Sequence, residues 1–250
     1  MLANKLFAAQ VPSVSAAAEL FSLVGVTYDN LSTLHSTGLS SFNIYYPPGI
    51  SAGDLALLFW SDDYGAVRAA VPSGFSPISS DTAGVASTIT GACYYRLCTG
   101  TESGNLITIS ATIAAFYAPG AILLVFSPSI GHSFGSVTST TILQNSTINY
   151  IATCPSIDGL TSTNNYLDVR FAGLDDPSEN SAVSQAAAPT GYTIAGNKIA
   201  KSATTSLSVN IAASYYSTAR TGITSTGLSE IAFNQAPDIS VGMSVAISII

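Results

Sequence analysis

One short segment of the chain has the residue pattern of a catalytic serine. The segment "GHSFG" at residues 131–135 matches the Gly-x-Ser-x-Gly nucleophile elbow, and it follows the apolar run "AILLVF" at 121–126, as the elbow does in α/β-hydrolases. The elbow must lead into a helix, yet the following residues are rich in β-branched side chains. No histidine follows His132, so only His35 could approach Ser133. We therefore predict no enzymatic activity and no catalytic residue, and interpret both glycines as turn residues.

Two pairs of adjacent carboxylates come directly after apolar segments. They are Asp62-Asp63 and Asp175-Asp176. Calcium binds six to eight oxygen ligands, and the spaced acidic loop of a known calcium motif is missing. We therefore predict that these are solvated turn residues, with no bound metal and no cofactor.

The three cysteines are candidates for a metal site or a disulfide. Cys93 and Cys98 are five positions apart on a predicted strand, an odd offset that places them on opposite faces. With Cys154 and only two histidines, the chain has no convincing set of zinc ligands. We interpret all three as small buried side chains.

Five aromatic residues are the candidates for contact with a partner. Trp60 ends a very apolar segment, and its neighbours Asp62 and Tyr64 also suggest a platform for stacking a sugar. Two Tyr-Tyr pairs each place one ring on either face of a strand, so one ring belongs to the core and the other to a surface. The predicted interface residues are Trp60, Tyr94, Tyr95, Tyr215 and Tyr216.

The composition limits the kinds of partner. Of the 250 residues, 47% are hydrophobic and only 8% are charged, with 7 basic and 14 acidic side chains. So few basic residues cannot neutralise a phosphate backbone, which argues against binding to nucleic acid. The longest strongly apolar run is too short to span a bilayer, so we expect no membrane association. No charged residue occurs between Glu102 and Asp158 or after Asp238, and depletion of charge is typical of the centre of protein interfaces.

The elements that position these residues are predicted to be strands. Apolar residues alternate with small or polar ones in "LITIS" (106–110), "SLSVNIA" (206–212) and "ISVGMSVAISII" (239–250), as in half-buried strands. The runs "DLALLFW" and "AILLVF" are continuously apolar and suit strands covered on both faces. The pattern predicts an all-β fold, namely an antiparallel, jelly-roll-like β-sandwich over residues 20–250, preceded by an N-terminal arm at 1–19.

Three features of the first half recur in the second. Each half has an apolar strand ending in Asp-Asp, a Pro-x-Gly-aromatic turn, and a Tyr-Tyr strand closing on Thr-Gly. The matching features are separated by nearly the same number of residues, as expected for a duplicated unit. We predict an internal repeat at about 41–127 and 150–250, forming either one large sandwich or two packed subdomains.

The segments "AGDLALLFW", "VPSGFSPI" and "YYRLCTGTESG" resemble a unit found in virion proteins of tailed bacteriophages and in related prophage proteins. The resemblance covers residues 51–127 well and 166–222 more loosely. The second unit lacks Gly-Asp before its first strand, and Ile223 stands where Glu102 does in the first. The resemblance implies a non-enzymatic structural protein of the virion, in the head or the tail.

Within a virion, the first hypothesis is a capsid decoration (cement) protein that binds the major capsid protein or another virion protein. The family analogy implies a homo-oligomer, with a trimer as the expected form. The alternative is a tail or fibre component that binds glycans of the host surface through exposed aromatic residues. A secreted hydrolase built around Ser133 is the weakest of the three hypotheses.

Overall fold

The computed structural model describes residues 19–31, 34–35, 38–63, 67–79, 89–145, 151–175, 185–202, 208–233 and 239–250. Every helix or strand assigned within these ranges is a β-strand, and all but one of the strand pairings are antiparallel, which confirms the predicted all-β antiparallel class. The predicted N-terminal arm at 1–19 falls outside the described residues except for Glu19. Over these ranges the chain has no helix of the length and apolarity needed to cross a membrane.

The first half of the chain forms two sheets. The larger, which we call inner sheet 1, has the spatial order β1 (Phe21–Tyr28), β9 (Pro119–Pro128), β4 (Ala52–Asp62), β7 (Thr90–Thr99) and β6 (Ser76–Ser79). The smaller, outer sheet 1, has the order β3 (Ser41–Tyr45), β8 (Leu106–Ile113) and β5 (Arg68–Ala69).

The second half also forms a large and a small sheet. Inner sheet 2 has the order β10 (Phe134–Ser139), β19 (Ser240–Ile249), β13 (Asn165–Asp175), β16 (Ser208–Tyr216), β15 (Tyr192–Ser202) and β2 (Leu34–His35). Two short strands extend it, because β11 (Leu143–Asn145) pairs with β19 and β17 (Arg220–Thr221) pairs with β13. Outer sheet 2 has the order β12 (Ile151–Cys154), β18 (Ser229–Phe233) and β14 (Gln185–Ala187).

The two halves have the same strand order. The order β1-β9-β4-β7-β6 of inner sheet 1 matches β10-β19-β13-β16-β15 of inner sheet 2, strand for strand along the chain. The order β3-β8-β5 of outer sheet 1 likewise matches β12-β18-β14 of outer sheet 2. Only β2, β11 and β17 have no counterpart among the described strands.

The four sheets are stacked as layers, with the two inner sheets facing each other. The rings of Phe59 on β4 and Phe171 on β13 stack between them with centroids 5.2 Å apart. Around this pair lies the central core, to which both inner sheets contribute fully buried aliphatic side chains. Burial of this apolar area, at about 25 cal/mol per Å², is the main force that holds the halves together.

The outer face of each inner sheet is covered by its outer sheet. Along β4, Leu55, Leu57 and Phe59 point into the central core, whereas Ala56, Leu58 and Trp60 point toward outer sheet 1. Strand β9 alternates in the same way, so both strands are covered on both faces, as their continuously apolar sequences predict. The core under outer sheet 2 is smaller and contains mainly alanine, leucine, isoleucine and phenylalanine.

Strand β19 differs from the prediction of a half-buried strand. Its odd-numbered residues face the central core as expected, but Ser240, Ser244 and Ser248 on the other face are also buried. They lie beneath outer sheet 2 and neighbouring segments, where Ser240 donates to the carbonyl of Ile151 at 3.4 Å. The serine-rich face was therefore wrongly interpreted as a solvated one.

Candidate functional site

A turn and the end of a strand form the base of a cavity in the second half. The Pro-x-Gly-aromatic turn closes through a hydrogen bond from the Tyr192 amide to the Pro189 carbonyl at 2.9 Å, and Gly191 has a φ of 85°. A Cβ atom on Gly191 would lie within 3 Å of the Tyr216 ring, so only glycine leaves room for that ring. Tyr192 meets Tyr216 edge to face, with centroids 5.2 Å apart.

Arg220 lies over this aromatic pair. Its guanidinium carbon is 5.1 Å from the centroid of the Tyr216 ring, within the range of a cation–π contact. Its Nη1 atom donates to Asp168 Oδ2 at 2.7 Å and to the Thr226 carbonyl at 2.6 Å. Burial disfavours the guanidinium charge, but the Asp168 carboxylate outweighs that effect and raises the pKa of Arg220. The guanidinium is therefore held in one orientation.

A second arginine lies beneath the first and is completely enclosed. Arg170 on β13 is 0% exposed. Its Nε donates to the Tyr192 hydroxyl at 3.0 Å, and its other nitrogens donate to Asp168, to Ser244 and to the carbonyls of Pro155 and Gly227. Burial and the Asp168 charge raise the pKa of Tyr192, which keeps its hydroxyl neutral as a donor to Asp168 at 2.7 Å. We call Asp168, Arg170, Tyr192 and Arg220 the buried ion cluster.

Above the buried ion cluster the surface opens into a cavity of about 660 Å³. We call it the Arg220 cavity. This size lies within the range of small-molecule sites. It is lined by Ala188, Pro189, Thr190, Tyr192, Tyr216, Arg220, Thr226, Leu228, Ser229 and Glu230.

A smaller cavity of about 350 Å³ lies at the corresponding place in the first half. Its arginine, Arg96, donates to Glu102 Oε1 at 2.6 Å and packs over Gly74, as Tyr216 packs over Gly191. Glu102 also accepts hydrogen bonds from the amides of Thr99, Gly100 and Thr101. Burial alone would raise the pKa of Glu102, but these bonds and the Arg96 charge outweigh it and lower that pKa to about 2.

The replacement Glu102→Gln is expected to destabilise the protein at pH 7 by about 1–3 kcal/mol, because an amide cannot accept all of these hydrogen bonds. The folded-state pKa is depressed, so the stability that Glu102 contributes is present above about pH 4.5 and is lost as the pH falls toward 2. Urea denaturation of both proteins between pH 2.5 and pH 7 measures this. The exposed Glu19→Gln serves as a control with little effect, and an equal loss in the control would contradict the assignment.

The predicted solvated aspartates are buried instead. Asp62, Asp63 and Asp175 are 0%, 3% and 6% exposed. Asp63 and Asp175 lie where the ends of β4 and β13 meet between the inner sheets, whereas Asp62 is on the face of β4 that Trp60 shares. Asp63 accepts from the Ser208 amide of the opposite sheet at 2.7 Å, and Asp62 accepts from the Tyr117 amide at 3.0 Å. Burial raises the pKa of Asp62 to about 8, and burial together with the nearby Asp175 carboxyl raises that of Asp63 to about 9. Asp176 lies outside the described residues.

Two of the five predicted interface residues cannot contact a partner. Trp60 and Tyr94 are 0% and 2% exposed, because both point into the core beneath outer sheet 1. There the Trp60 Nε1 atom donates to the Tyr94 hydroxyl at 3.3 Å, which also excludes Trp60 as a sugar platform. Tyr95 and Tyr215 are half-buried beside the central core, and Tyr216 is half-buried at the Arg220 cavity. An interface role for these three remains a prediction.

Ser133 is not in a nucleophile elbow. The chain passes from β9 through a turn into strand β10, where an elbow would begin a helix. His35 lies on β2 at the opposite edge of inner sheet 2 from β10, five strand positions or about 24 Å away. Gly131 is a turn residue with a φ of 86°, as predicted. Gly135 is not, because it lies within β10, where a side chain would meet Ser248.

The cysteines behave as predicted. All three are free and buried, and Cys93 and Cys98 face different cores on opposite sides of β7. Burial raises the pKa of Cys98 and of Cys154 to about 12, so neither is a thiolate at neutral pH. Within the described ranges, no three His, Cys, Asp or Glu side chains are grouped so that they could hold a metal ion.

The buried ion cluster was missed in the sequence, although one signal was present. In the apolar strand "YLDVRFAGL", Asp168 and Arg170 are two positions apart and therefore share a face. Opposite charges on one face of an otherwise apolar strand indicate a buried pair. Arg220 had no comparable signal, because it follows in a separate short strand.

Comparison with known proteins gives no match to this chain, whether among protein-family models, curated proteins or solved structures.

Proposed function

We propose that this chain is a non-enzymatic structural protein of a phage particle, and that within the particle it decorates the outside of the capsid. The proposal includes duplication of a jelly-roll-like unit as the origin of the two halves. Their common strand order supports that origin. The bacteriophage part of the proposal rests on the sequence resemblance described above.

The observation that carries the structural role is the solvent-facing surface of outer sheet 1. The outward residues of β3 and β8 are Ser41, Asn43, Tyr45, Leu106, Thr108 and Ser110, none of which is charged. The one charged residue in the described strands of this sheet is Arg68, which lies on the short edge strand β5 and is half-exposed. Tyr45 and Leu106 are direct cross-strand partners and are 46% and 49% exposed. An uncharged surface can be buried against another protein without leaving a buried charge unpaired, as at the centre of stable interfaces.

The layered structure suits such a role. Two inner sheets buried on both faces form a stiff body, and outer sheet 1 presents its outward face away from that body. A rigid face loses little conformational entropy when it docks, so more of the burial energy appears as affinity. We propose the major capsid protein or a second virion subunit as the partner.

The location is tested by counting this chain in purified phage particles by quantitative mass spectrometry and by locating it with cryo-electron microscopy. Hundreds of copies on the head are expected, whereas a few or dozens of copies on the tail would support the alternative location. Absence of the chain from the particles would overturn the proposal.

The docking face is tested with Leu106→Asp. A charge placed in the centre of a protein interface is expected to weaken binding to particles at least tenfold, which corresponds to about 1.4 kcal/mol. The matched control is Leu143→Asp on β11, a leucine that is similarly exposed at 42% but lies outside outer sheet 1. Co-sedimentation with particles that lack the protein measures both variants. Equal binding of the two variants would contradict the assignment of this face.

A further inference from the structure

The Arg220 cavity carries an inference that does not rest on the proposed structural role. The cavity combines an appropriate volume with polar groups that converge on it, which is the usual character of a small-molecule site. The matching cavity of the first half has about half the volume, and its Glu102 carboxylate is already saturated by Arg96 and three backbone amides. The second half therefore presents the better candidate.

Several polar groups in the cavity have unused hydrogen-bonding capacity. Arg220 uses only its Nη1 atom to donate to Asp168 and Thr226. Its Nε and Nη2 atoms have no acceptor among the described residues. The Ser229 hydroxyl is not available in the same way, because its oxygen is buried and Ser229 shares the inward face of β18 with Ile231 and Phe233. Glu230 is exposed and contributes a carboxylate to the same lining. A ligand in the cavity would therefore meet the donors of Arg220 and the acceptor oxygens of Glu230.

The cavity is also preorganised. The Tyr216 ring packs against Gly191 and makes a cation–π contact with the Arg220 guanidinium. Asp168 holds the same guanidinium from the side, and Asp168 is itself held by Arg170 and Tyr192. A donor that is already ordered loses little entropy on binding, which favours recognition by hydrogen bonds.

The charges in and beneath the cavity indicate the class of ligand. Arg170 and Arg220 contribute two positive charges, and Asp168 and Glu230 contribute two negative ones, so the local sum is zero. A phosphate or carboxylate ligand would gain from Arg220 but would be repelled by Glu230. A hydroxyl group both donates and accepts, so neighbouring hydroxyls can satisfy the carboxylate and the guanidinium together. Leu228, which is 65% exposed, adds an apolar edge against which a C–H face can pack.

We propose that the Arg220 cavity is a binding site for an uncharged saccharide, with Arg220 and Glu230 as its hydrogen-bonding residues. Arg170 and Asp168 are positioning residues that act through Arg220. The binding unit is one or two sugar rings, as the volume of the cavity allows.

The proposal is tested with the full-length purified chain by saturation-transfer NMR and isothermal titration calorimetry. The probes are glucose, galactose, mannose, rhamnose, N-acetylglucosamine and their disaccharides, with N-acetylneuraminic acid and inorganic phosphate as anionic probes. Binding of at least one uncharged sugar is expected. Binding of no uncharged sugar at 50 mM, or of the anionic probes alone, would overturn the proposal.

Variants locate the binding on the protein. Glu230→Gln changes an exposed side chain of the cavity and is expected to weaken sugar binding at least fivefold. Glu19→Gln is the matched control, because it removes an exposed glutamate charge outside the cavity and should leave binding unchanged. Unchanged thermal unfolding of each variant shows that the loss is local. Equal affinity in Glu230→Gln and Glu19→Gln would exclude this cavity as the site, whatever the location of the protein in a particle.

Discussion

Replacement of Arg170 by methionine is expected to destabilise the protein by about 3–5 kcal/mol, the usual cost of removing one partner from a buried ion pair. The guanidinium is 0% exposed and makes hydrogen bonds to Asp168, Tyr192 and Ser244 and to the carbonyls of Pro155 and Gly227. Methionine fills similar space but removes all of these hydrogen bonds at once, and it leaves the buried Asp168 carboxylate with Arg220 as its one remaining ion-pair partner among the described residues. Because the free energy of unfolding of a native domain is only about 5–15 kcal/mol, this loss is a large part of the total stability.

Guanidinium chloride denaturation at pH 7 measures the change. The control is Arg68→Met, because Arg68 is half-exposed at the edge of outer sheet 1, and a loss below about 1 kcal/mol is expected for a surface substitution. An equal loss in both variants would show that Arg170 has no special role.

The first half of the chain supplies a second, sharper test. The inward residues Leu55, Leu57 and Phe59 correspond to Leu167, Val169 and Phe171, so the outward positions of Asp168 and Arg170 correspond to Ala56 and Leu58. The double variant Asp168→Ala/Arg170→Leu therefore copies the apolar arrangement already present under outer sheet 1. It is expected to recover at least half of the stability lost in Arg170→Met, because it removes the buried carboxylate together with the buried arginine that neutralises it. A double variant less stable than the single one would contradict this account.

The protein is expected to become less stable as the pH rises from 5 to 9, with a slope of roughly 1 kcal/mol per pH unit for each buried carboxyl that stays protonated. Asp62 and Asp63 ionise near pH 4 when the chain is unfolded but only near 8 and 9 when it is folded. Between these values the folded state holds more protons than the unfolded state, so a rise in pH favours unfolding. Glu102 has the opposite sign and acts only below about pH 4.5. Maximum stability is therefore expected near pH 4–5.

Denaturation at pH 5, 7 and 9 measures this slope. The variant Asp63→Asn is expected to reduce the slope by about half, because an amide cannot ionise beside Asp175 whereas Asp62 still ionises. The amide can still accept from the Ser208 amide. Asp158→Asn replaces an exposed aspartate and should leave the slope unchanged. Greater stability of the wild-type protein at pH 8 than at pH 5 would contradict the assignment of protonated carboxyls between the sheets.

The sequence predicted the strands better than it predicted their surroundings. The continuous apolar runs of β4 and β9 indicated burial on both faces, and both are covered. Strand β19 has the alternation of a solvated strand, yet its serines are buried because they bond to groups of outer sheet 2 and to Arg170. A polar side chain with a partner can be buried as well as an apolar one, and the partner is not visible in the local pattern.

The repeated Tyr-Tyr pair shows a second limit of prediction from the sequence. Alignment of the two sequences pairs Tyr94 with Tyr215, but the strand register gives another correspondence. Ser76 and Thr193 are the residues that follow the Pro-x-Gly-aromatic turn in each half, and they pair with Tyr95 and Tyr215 respectively. Tyr95 therefore corresponds to Tyr215, and both lie beside the central core. Because side chains alternate, a shift of one residue moves each ring to the other face. The buried position of Tyr94 and the cavity position of Tyr216 follow from this shift.

The stacking of two equivalent broad sheets has a consequence for shorter versions of this chain. A polypeptide that ended before β10 would keep one sandwich but would leave the apolar side of its broad sheet, including Leu57, Phe59 and Leu124, in contact with water. Such a truncated molecule is expected to associate with a second copy of itself through that side, so that two identical chains replace the two halves of one. The linker between β9 and β10 therefore keeps the two halves at a high effective concentration, and a cut in this linker is expected to leave an associated pair of halves rather than two separate monomers.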